Sequence, residues 1–565
     1  MTFPRLIEDL ADRFEGAPAL LDEAQRLTYR GLAGRANLYA RWALLQGLRP
    51  GDAVCLLAPN CPDYMAIWCG LTRAGAVVAL VNTNLVEGAL AHAINIAEPS
   101  HVIVDAACAD AYLSAASLLT GAPRSWAHGG PVDGLAPIED ELAKLSSDKI
   151  ADTECRLPAL KSRALLIYTS GTTGMPKAAN VSHLRIMQWG MWFAGMMDTR
   201  PSDRMYNCLP MYHSVGGIVA TAATLIGGGS VFLRRGFSAS RFWSEIVAWD
   251  CTLFQYIGEL CRYLVESPYD PQAEHHKLRL CCGNGLRRNV WEIFERRFRI
   301  PRILEFYAAT EGSFSLYNCE GEPGAIGRIP PFLNHRSGVE LVRFDIDTEV
   351  PLRGEDGLCA RCATNEVGEA IGRIDKDGAG GRFEGYSDAE ATRKKILRNV
   401  FAEGDAWFRT GDLMRRDSRG YFYFIDRVGD TFRWKGENVA SQQVAEAIAE
   451  CPGVLDAVVY GVAVPGAEGR AGMSAVVPAK NFDLVVLRRH LAEKLPDYAC
   501  PLFVRLCSSV EKTSTFKPRK QKLAVEGYDP TATADPIFFD DRRKEAFVRL
   551  DATLHDRIQA RRLRL

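Results

Sequence analysis

The sequence predicts an α/β protein, with a large N-terminal domain of layered, mainly parallel sheets with helices and a small α+β C-terminal domain. Three observations predict it. Apolar runs of strand length alternate with helical stretches along the N-terminal part, as layered parallel sheets require. The chain has 565 residues, too many for one ordinary hydrophobic core. The pattern becomes compact α+β after Asp426-Arg427-Val428-Gly429-Asp430, so domains are expected over 1–428 and 429–565.

The elements follow in order. AVCLLA (53–58) reads as a buried strand, Asn60-Cys61-Pro62-Asp63 as a helix start, and AVVALVN (76–82) as the next strand. HVIVD (101–105), ALLIYTS (164–170), SVFLRR (230–235), TLFQYIG (252–258) and RILEFYA (302–308) repeat the alternation. The polar stretch Glu139 to Pro158 predicts a loop or short surface helix, and GRIDKDGAGGRFEG (372–385) an exposed loop. GGIVATAATLIGGGSVFL (216–233) is uncharged, but Gly227-Gly228-Gly229 interrupts it. A buried helix, a tight turn and a strand fit it better than a membrane span. Beyond the boundary come a helix from Ser441, the strand VLDAVVYGVAV, a helix from Leu484 to Leu495, and FVRLC. Phe547, Leu550, Leu554 and Ile558 stand at helical spacing in the tail, ahead of Arg557, Arg561, Arg562 and Arg564, which read as a solvated helix end.

Composition excludes several functions. Lys+Arg (68) balances Asp+Glu (69), which gives no footprint for nucleic acid. Apolar residues at 47% and charged at 24% suit a soluble enzyme. The 16 cysteines are scattered through apolar stretches, which suits a reducing compartment, so a cytoplasmic location is expected. Cys359 and Cys362 lack a second pair, and zinc needs four ligands. MTFPRLIEDLADRF has early acids and no apolar core, unlike a signal peptide.

Residues 168–177 read YTSGTTGMPK. This is not the common nucleotide loop, because Met175 and Pro176 separate Gly174 from Lys177. A plain turn explains the glycines but not the hydroxyl run or the lysine. Backbone N–H groups around Gly171 and Gly174, the hydroxyls of Thr169, Ser170, Thr172 and Thr173, and the Lys177 charge suit phosphate oxygens.

This stretch resembles the phosphate-loop signature of the adenylate-forming enzymes: acyl-CoA synthetases, luciferases and peptide-synthetase adenylation domains. FYAATEG (306–312), FRTGDL (408–413), IDRVGD (425–430) and TFKPRK (515–520) resemble further motifs of that family in its order. GDTFRWKGENVAS, CGNGLRRNVWEIFERRF, EFYAATEGS and YDPTATADPIFFDD are similar to the very-long-chain acyl-CoA synthetase and fatty-acid transport protein group. Animal members commonly carry an N-terminal membrane segment that this sequence lacks, so a soluble relative is expected, with peripheral membrane contact possible.

The resemblance implies an ATP-dependent acyl-CoA synthetase for a long or bulky apolar acid, using ATP, Mg²⁺ and coenzyme A through an acyl-adenylate. It implies that Glu311 holds Mg²⁺, that Thr310 bonds a phosphate oxygen, and that Lys517 bridges the substrate carboxylate and α-phosphate. Phe516 stands where most of the superfamily has glycine. Tyr307, with Ala308 beside it, would stack on adenine along Gly283-Asn284-Gly285, while Asp412 takes the ribose and Arg427 the ribose or phosphate. Lys435-Gly436-Glu437 would line the CoA path. The C-terminal domain would be a mobile lid, with its hinge at Gly429 or Asp430. His213 in LPMYHSVGG would stand at the mouth of the acyl site. Met191 and Trp192 in the Met-rich stretch 185–197 read either as core or as acyl-pocket lining. Two alternatives stay open: an adenylating ligase that delivers to a carrier-protein thiol, and a fatty-acid transport or binding protein. The oligomeric state is open, with a homodimer as one option.

Overall fold

The computed structural model describes the chain except residues 171–174, 313, 347, 375–382, 468, 514–518 and 564–565. Gly171, Thr172, Thr173, Gly174 and Lys517 therefore lie outside the described residues, as does most of the loop expected at 372–385. Two compact units are formed, residues 1–328 with 374–396 and residues 329–373 with 397–565.

The first unit holds two sheets. Its strands in chain order are β1 (Pro18–Leu21), β2 (Arg26–Thr28), β3 (Ala53–Leu57), β4 (Val77–Leu80), β5 (His101–Asp105), β6 (Arg124–His128), β7 (Ala136–Pro137), β8 (Arg163–Ser170), β9 (Pro176–Ser182), β10 (Arg204–Asn207), β11 (Ser230–Leu233), β12 (Leu253–Ile257), β13 (Leu280–Asn284), β14 (Ile303–Ala308) and β15 (Ser315–Asn318). One sheet runs β7-β6-β5-β3-β4-β8-β9 and the other β15-β14-β13-β12-β10-β11-β1-β2. Ladders inside both sheets are parallel, and the antiparallel strands β9, β15 and β2 lie at edges. Strands such as β3, β4 and β5 are buried at every position, as strands covered on both faces must be. One continuous core joins Val54, Leu56, Val78 and Ile167 of the first sheet to Met205, Leu253, Leu280 and Leu304 of the second.

The glycine-interrupted stretch resolves as expected in kind. Val215–Ala222 winds as a π-helix, continues as the helix Ala223–Ile226, turns through Gly227 to Gly229 and enters β11. Gly216 is required there, because a Cβ would lie 2.3 Å from the Pro210 carbonyl oxygen.

In the second unit, Val339–Val342, Val367–Arg373, Ala406–Arg416 and Tyr421–Arg427 form an antiparallel ladder. A mixed sheet follows, built from Val454–Ala463, Arg470–Pro478, Phe503–Leu506, Ile537–Asp541 and Ala546–Arg549. The compact division does not fall at 428 as the sequence suggests. The strand Tyr421–Arg427 packs on the helix Ser441–Ala449. Buried Asp426 accepts the Gln442 N–H at 3.3 Å, so residues on both sides of 428 share one unit. The tail also differs from its helical spacing. Phe547 pairs with Asp540 in the sheet, Leu550 follows that strand, and only Ala552–Gln559 is helical.

Candidate active site

Parallel sheets collect chemistry at the carboxyl ends of their strands, where loops and helix starts converge. At the end of β14, Thr310, Glu311 and Gly312 form a turn in which the Gly312 N–H donates to the Ala309 carbonyl at 3.0 Å. Arg185, itself buried, donates to the Thr310 carbonyl at 2.8 Å and the Gly312 carbonyl at 3.0 Å. Its guanidinium lies 4.0 Å from Glu384 and 5.3 Å from the centre of the Trp189 ring. Burial lowers the Arg185 pKa, and the Glu384 and Glu311 charges oppose that shift.

Glu311 is buried, and the Tyr386 hydroxyl donates to its Oε1 at 2.5 Å. Burial pushes the Tyr386 phenol far above its ordinary range, with the Glu311 charge adding to the shift. Tyr386 arrives on a short extended segment laid along the edge strand β9. Asn180 N–H donates to the Gly385 carbonyl, Ser387 N–H donates to the Ala178 carbonyl, and Ala179 bridges Tyr386. Glu384 caps the junction by accepting the Ser182 N–H at 2.7 Å and hydroxyl at 2.6 Å. Thr169 also bonds Tyr386. The Lys177 ammonium lies 5.9 Å from the centre of the Tyr386 ring. Ser214 Oγ is 3.4 Å from Thr310 Oγ1, which brings the His213 loop to the same point. The His213 ring packs at 4.8 Å on Tyr212.

Thr169, Lys177, His213, Thr310 and Glu311 are therefore brought together, with Ser170 closing β8 beside them. Sequence reasoning missed Arg185, Glu384 and Tyr386. The legible signal was an arginine at the head of a mostly apolar helix, since such a charge needs partners to be buried. Arg185→Met should cost about 3–5 kcal/mol, because two carbonyls and the Glu384 charge lose their cation. Urea denaturation reads this directly, and a loss below about 1 kcal/mol would remove the clamp from the account.

The second cluster is the Gly283-Asn284-Gly285 corner. A Cβ on Gly283 would lie 2.3 Å from the Tyr256 carbonyl oxygen, and Gly285 has φ 78°. Both positions therefore demand glycine. Glu305, fully buried on β14, accepts the N–H groups of Gly285 and Leu286 on Oε1. Tyr256 sits 2.6 Å from its Oε2 and 3.0 Å from the Leu304 carbonyl. One phenolic proton cannot serve both acceptors, so a protonated Glu305 completes the set by donating to Tyr256.

Burial raises the Glu305 pKa from 4.5 to about 8, against the opposing bonds from Tyr256, Leu286 and Gly285. Between those values the folded chain holds a proton that the unfolded chain has lost, so stability falls as pH rises through that window. Glu305→Gln should flatten the fall. The check is urea midpoints for both proteins at the two ends of the window, and parallel curves would count against a protonated Glu305. Nearby, Tyr307 is half-buried with its ring 5.9 Å from Phe314, and Ala308 is exposed.

Helix His183–Met197 divides the Met-rich stretch. Met187, Phe193 and Met197 enter the core, whereas Met191 and Trp192 are 59% and 56% exposed. Trp192 packs at 5.3 Å on Tyr317.

In the second unit, Asp412 pairs with Arg427 across the ladder, at 3.7 Å between Oδ1 and Nε. Gly411 (φ 77°) precedes it. Its N–H donates at 3.2 Å to Glu369, a fully buried carboxylate that Arg409 binds at 2.8 Å. The Asp412 N–H donates to Thr410 Oγ1 at 3.0 Å, so the Asp412 backbone is held from both sides. Gly429 has φ 89°. Asp430 receives Lys520 at 3.2 Å, and Lys520 also donates to Ser441 Oγ at 2.7 Å. Lys435 (φ 52°) and Gly436 (φ 84°) form the tip of a hairpin in which Trp434 pairs with Glu437.

Comparison with known proteins gives one answer. The family model "AMP-binding enzyme" matches residues 7–357, and "AMP-binding enzyme C-terminal domain" matches 443–517. Mouse long-chain fatty acid transport protein 1 is 38% identical over 568 residues, spanning 99% of this chain and 88% of that protein. Mouse long-chain fatty acid transport protein 6 is 38% identical over 557 residues, spanning 97% and 88%. Among solved structures, the anthranilate CoA ligase AuaEII with anthranoyl-AMP has a TM-score of 0.78 at 21% identity, over 93% of this chain and 96% of that one. ATP-bound MatB from Rhodopseudomonas palustris has a TM-score of 0.76 at 23% identity, over 93% and 99%.

Proposed function

Since the chain belongs to the AMP-binding enzyme family, we propose that it is an AMP-forming acyl-CoA synthetase for a long or bulky apolar carboxylic acid. The observation that carries this reading is the Thr310-Glu311 turn, clamped by Arg185 and faced by Tyr386, Lys177 and Ser214. Long-chain acids as the substrate class rest on the names of the relatives.

A carboxylate oxygen attacks the α-phosphorus of ATP, and the bond to pyrophosphate breaks. The sulfur of CoA then attacks the acyl carbon, AMP departs with the carboxylate oxygen, and the thiol proton passes to solvent. Both partners of the first step are anions, so positive charge and oriented donors must come first. Lys177 and the hydroxyls from Thr169 to Thr173 take the departing pyrophosphate. Thr310 bonds a phosphate oxygen, and Lys517 holds the carboxylate against the α-phosphate. Tyr307 and the 283–285 corner take adenine, and Asp412 and Arg427 take the ribose. Glu311 fits Mg²⁺ as a hard carboxylate donor, because Tyr386 fixes one oxygen and orients the other. When bound, the ion would neutralise phosphate charge. Lys435, Gly436 and Glu437 border the thiol path, and His213 stands at the acyl mouth.

Gly429, already left-handed, is the proposed hinge for alternating the C-terminal lid, from residue 429 onward, between the two half-reactions. The sixteen free cysteines support a cytoplasmic site of action as part of this proposal. No helix among the described residues is long and apolar enough to cross a membrane.

The test is incubation of the purified protein with Mg-ATP and a panel of apolar acids, with and without CoA, read by mass. Acyl-AMP without CoA and acyl-CoA with it establish the ligase. Adenylate that never passes to CoA points to a carrier-protein thiol. Absence of adenylate with every acid removes the proposal and leaves acid binding or transport.

A further inference from the structure

A cavity lies at the end of the second sheet opposite the Thr310-Glu311 turn. Strands β1, β10, β11, β12, β13 and β14 are joined by parallel ladders, so they open at one edge of the sheet and close at the other. Thr310 and Glu311 follow the end of β14, and His213 follows the end of β10. Arg204 and Ser230, by contrast, are the first residues of β10 and β11. At that opening edge the cavity measures about 230 Å³. Its walls include Leu21, Arg26 and Leu27 of the β1–β2 hairpin, Arg204, and Ala248 and Trp249 where helix Phe242–Ala248 ends.

The walls are fixed from both sides. Trp249 stacks on Phe232 of β11 with ring centres 4.2 Å apart. Arg204 donates from Nη1 to the Trp249 carbonyl at 2.5 Å and from Nε to Ser230 Oγ at 3.1 Å. Its Nη2 makes no hydrogen bond among the described residues. On the hairpin, Asp22 Oδ1 accepts the Ala24 and Gln25 N–H groups at 2.8 and 2.6 Å and sets the turn. Arg26 leaves that turn opposite Leu21, and its guanidinium lies 5.3 Å from the centre of the Trp249 ring.

The charge of the cavity is one-sided. The acids beside its lining residues in the chain are engaged elsewhere: Asp22 by its turn, Asp203 by Arg279 at 2.6 Å, and Asp250 by Lys277 at 2.6 Å. Neither Arg26 nor Arg204 has a carboxylate partner among the described residues. Two guanidinium groups therefore share the cavity with apolar walls and no opposing charge.

We propose that this cavity binds a small carboxylate with a compact apolar body, at a site separate from the adenylation centre. Guanidinium forks match the planar geometry of a carboxylate, and small-molecule pockets combine apolar walls with a few placed polar groups. Leu21, Leu27, Ala248 and the Trp249 side chain receive the apolar body. Inorganic phosphate would satisfy the arginines and leave those walls in water. Volume sets the size: an apolar cavity of about 150 Å³ takes benzene, so this one takes a body of about two fused rings.

The experiment is calorimetric titration of the full-length protein, without nucleotide, by naphthoate, naphthamide and inorganic phosphate. Naphthoate should bind with a Kd below about 1 mM. Naphthamide keeps the rings and loses the charge, and should bind at least about tenfold more weakly. Phosphate keeps the charge and loses the rings, with a loss of at least about tenfold expected as well. Arg26→Gln removes one guanidinium and should weaken naphthoate by about tenfold. Ala248→Phe keeps both arginines and fills the cavity, so naphthoate binding should disappear. Both positions are exposed, so both variants should melt with the unsubstituted chain and adenylate acids at its rate.

A naphthoate Kd above about 1 mM overturns the proposal. Equal binding of naphthamide removes the carboxylate from it, and equal binding of phosphate removes the apolar body, so either result overturns it too. Naphthoate binding that both variants leave unchanged belongs to another site, the acyl site included, and counts equally against this cavity.

Discussion

Lys517→Ala is expected to slow acyl-adenylate formation by at least about a thousandfold, while CoA transfer from preformed acyl-AMP stays within about threefold. The first half-reaction brings a carboxylate to a polyphosphate, and a cation held against both removes a repulsion that solvent cannot remove in a closed site. The second half-reaction joins a thiol to a neutral acyl carbon and makes no such demand. Lys517 lies outside the described residues, but its neighbours narrow the choice. Lys512 is held by Asp456 at 2.6 Å, and Lys520 by Asp430 and Ser441. Both are engaged within the second unit. Separate assays of the half-reactions decide it, and the idea sinks if both survive Lys517→Ala or both fail equally.

Glu311→Gln is the second large effect. The amide keeps the size of the side chain and an oxygen for Tyr386, so the turn held by Arg185 should fold normally. What disappears is the negative charge at the end of β14. Adenylation should fall by about 10²–10³-fold, the scale measured when one electrostatic group is lost from a preorganised site. Tyr386→Phe keeps the charge and loses only its orientation, so about tenfold is expected there. Pyrophosphate release under saturating ATP measures both. If Glu311→Gln stayed within a factor of about ten, Glu311 would be a structural acceptor for Tyr386.

Local pattern carried the strands because their burial is continuous. β5 matches HVIVD residue for residue, and β3, β8, β12 and β14 differ from their sequence readings only at the ends. The tail misled because Phe547 and Leu550 meet the helical spacing of Leu554 and Ile558 by coincidence, while sheet pairing claims the first of them. Thr310 and Glu311 were legible because motif residues are adjacent in the chain. Tyr386 was not, since nothing local says that a residue beyond a polar loop reaches Glu311. Glu305 was hidden for a related reason. It reads as one polar residue in the strand RILEFYA, and only the neighbouring strands reveal that its carboxyl anchors the 283–285 corner.

The extended segment carrying Tyr386 has a consequence for how the protein is made. Glu384 meets Ser182 across 202 residues of chain. At a synthesis rate of about 10 residues per second, roughly 20 s separate the emergence of β9 from that of the strap that covers it. The strands of the second sheet, β10 to β15, emerge within that interval, yet β9 presents an open edge until it ends, the feature through which nascent chains pair with the wrong neighbour. The late strap ends this exposure and delivers the Tyr386 hydroxyl in the same movement. Edge protection and completion of the adenylation centre are thus a single folding event, and a chain stalled before it is both inactive and prone to aggregate.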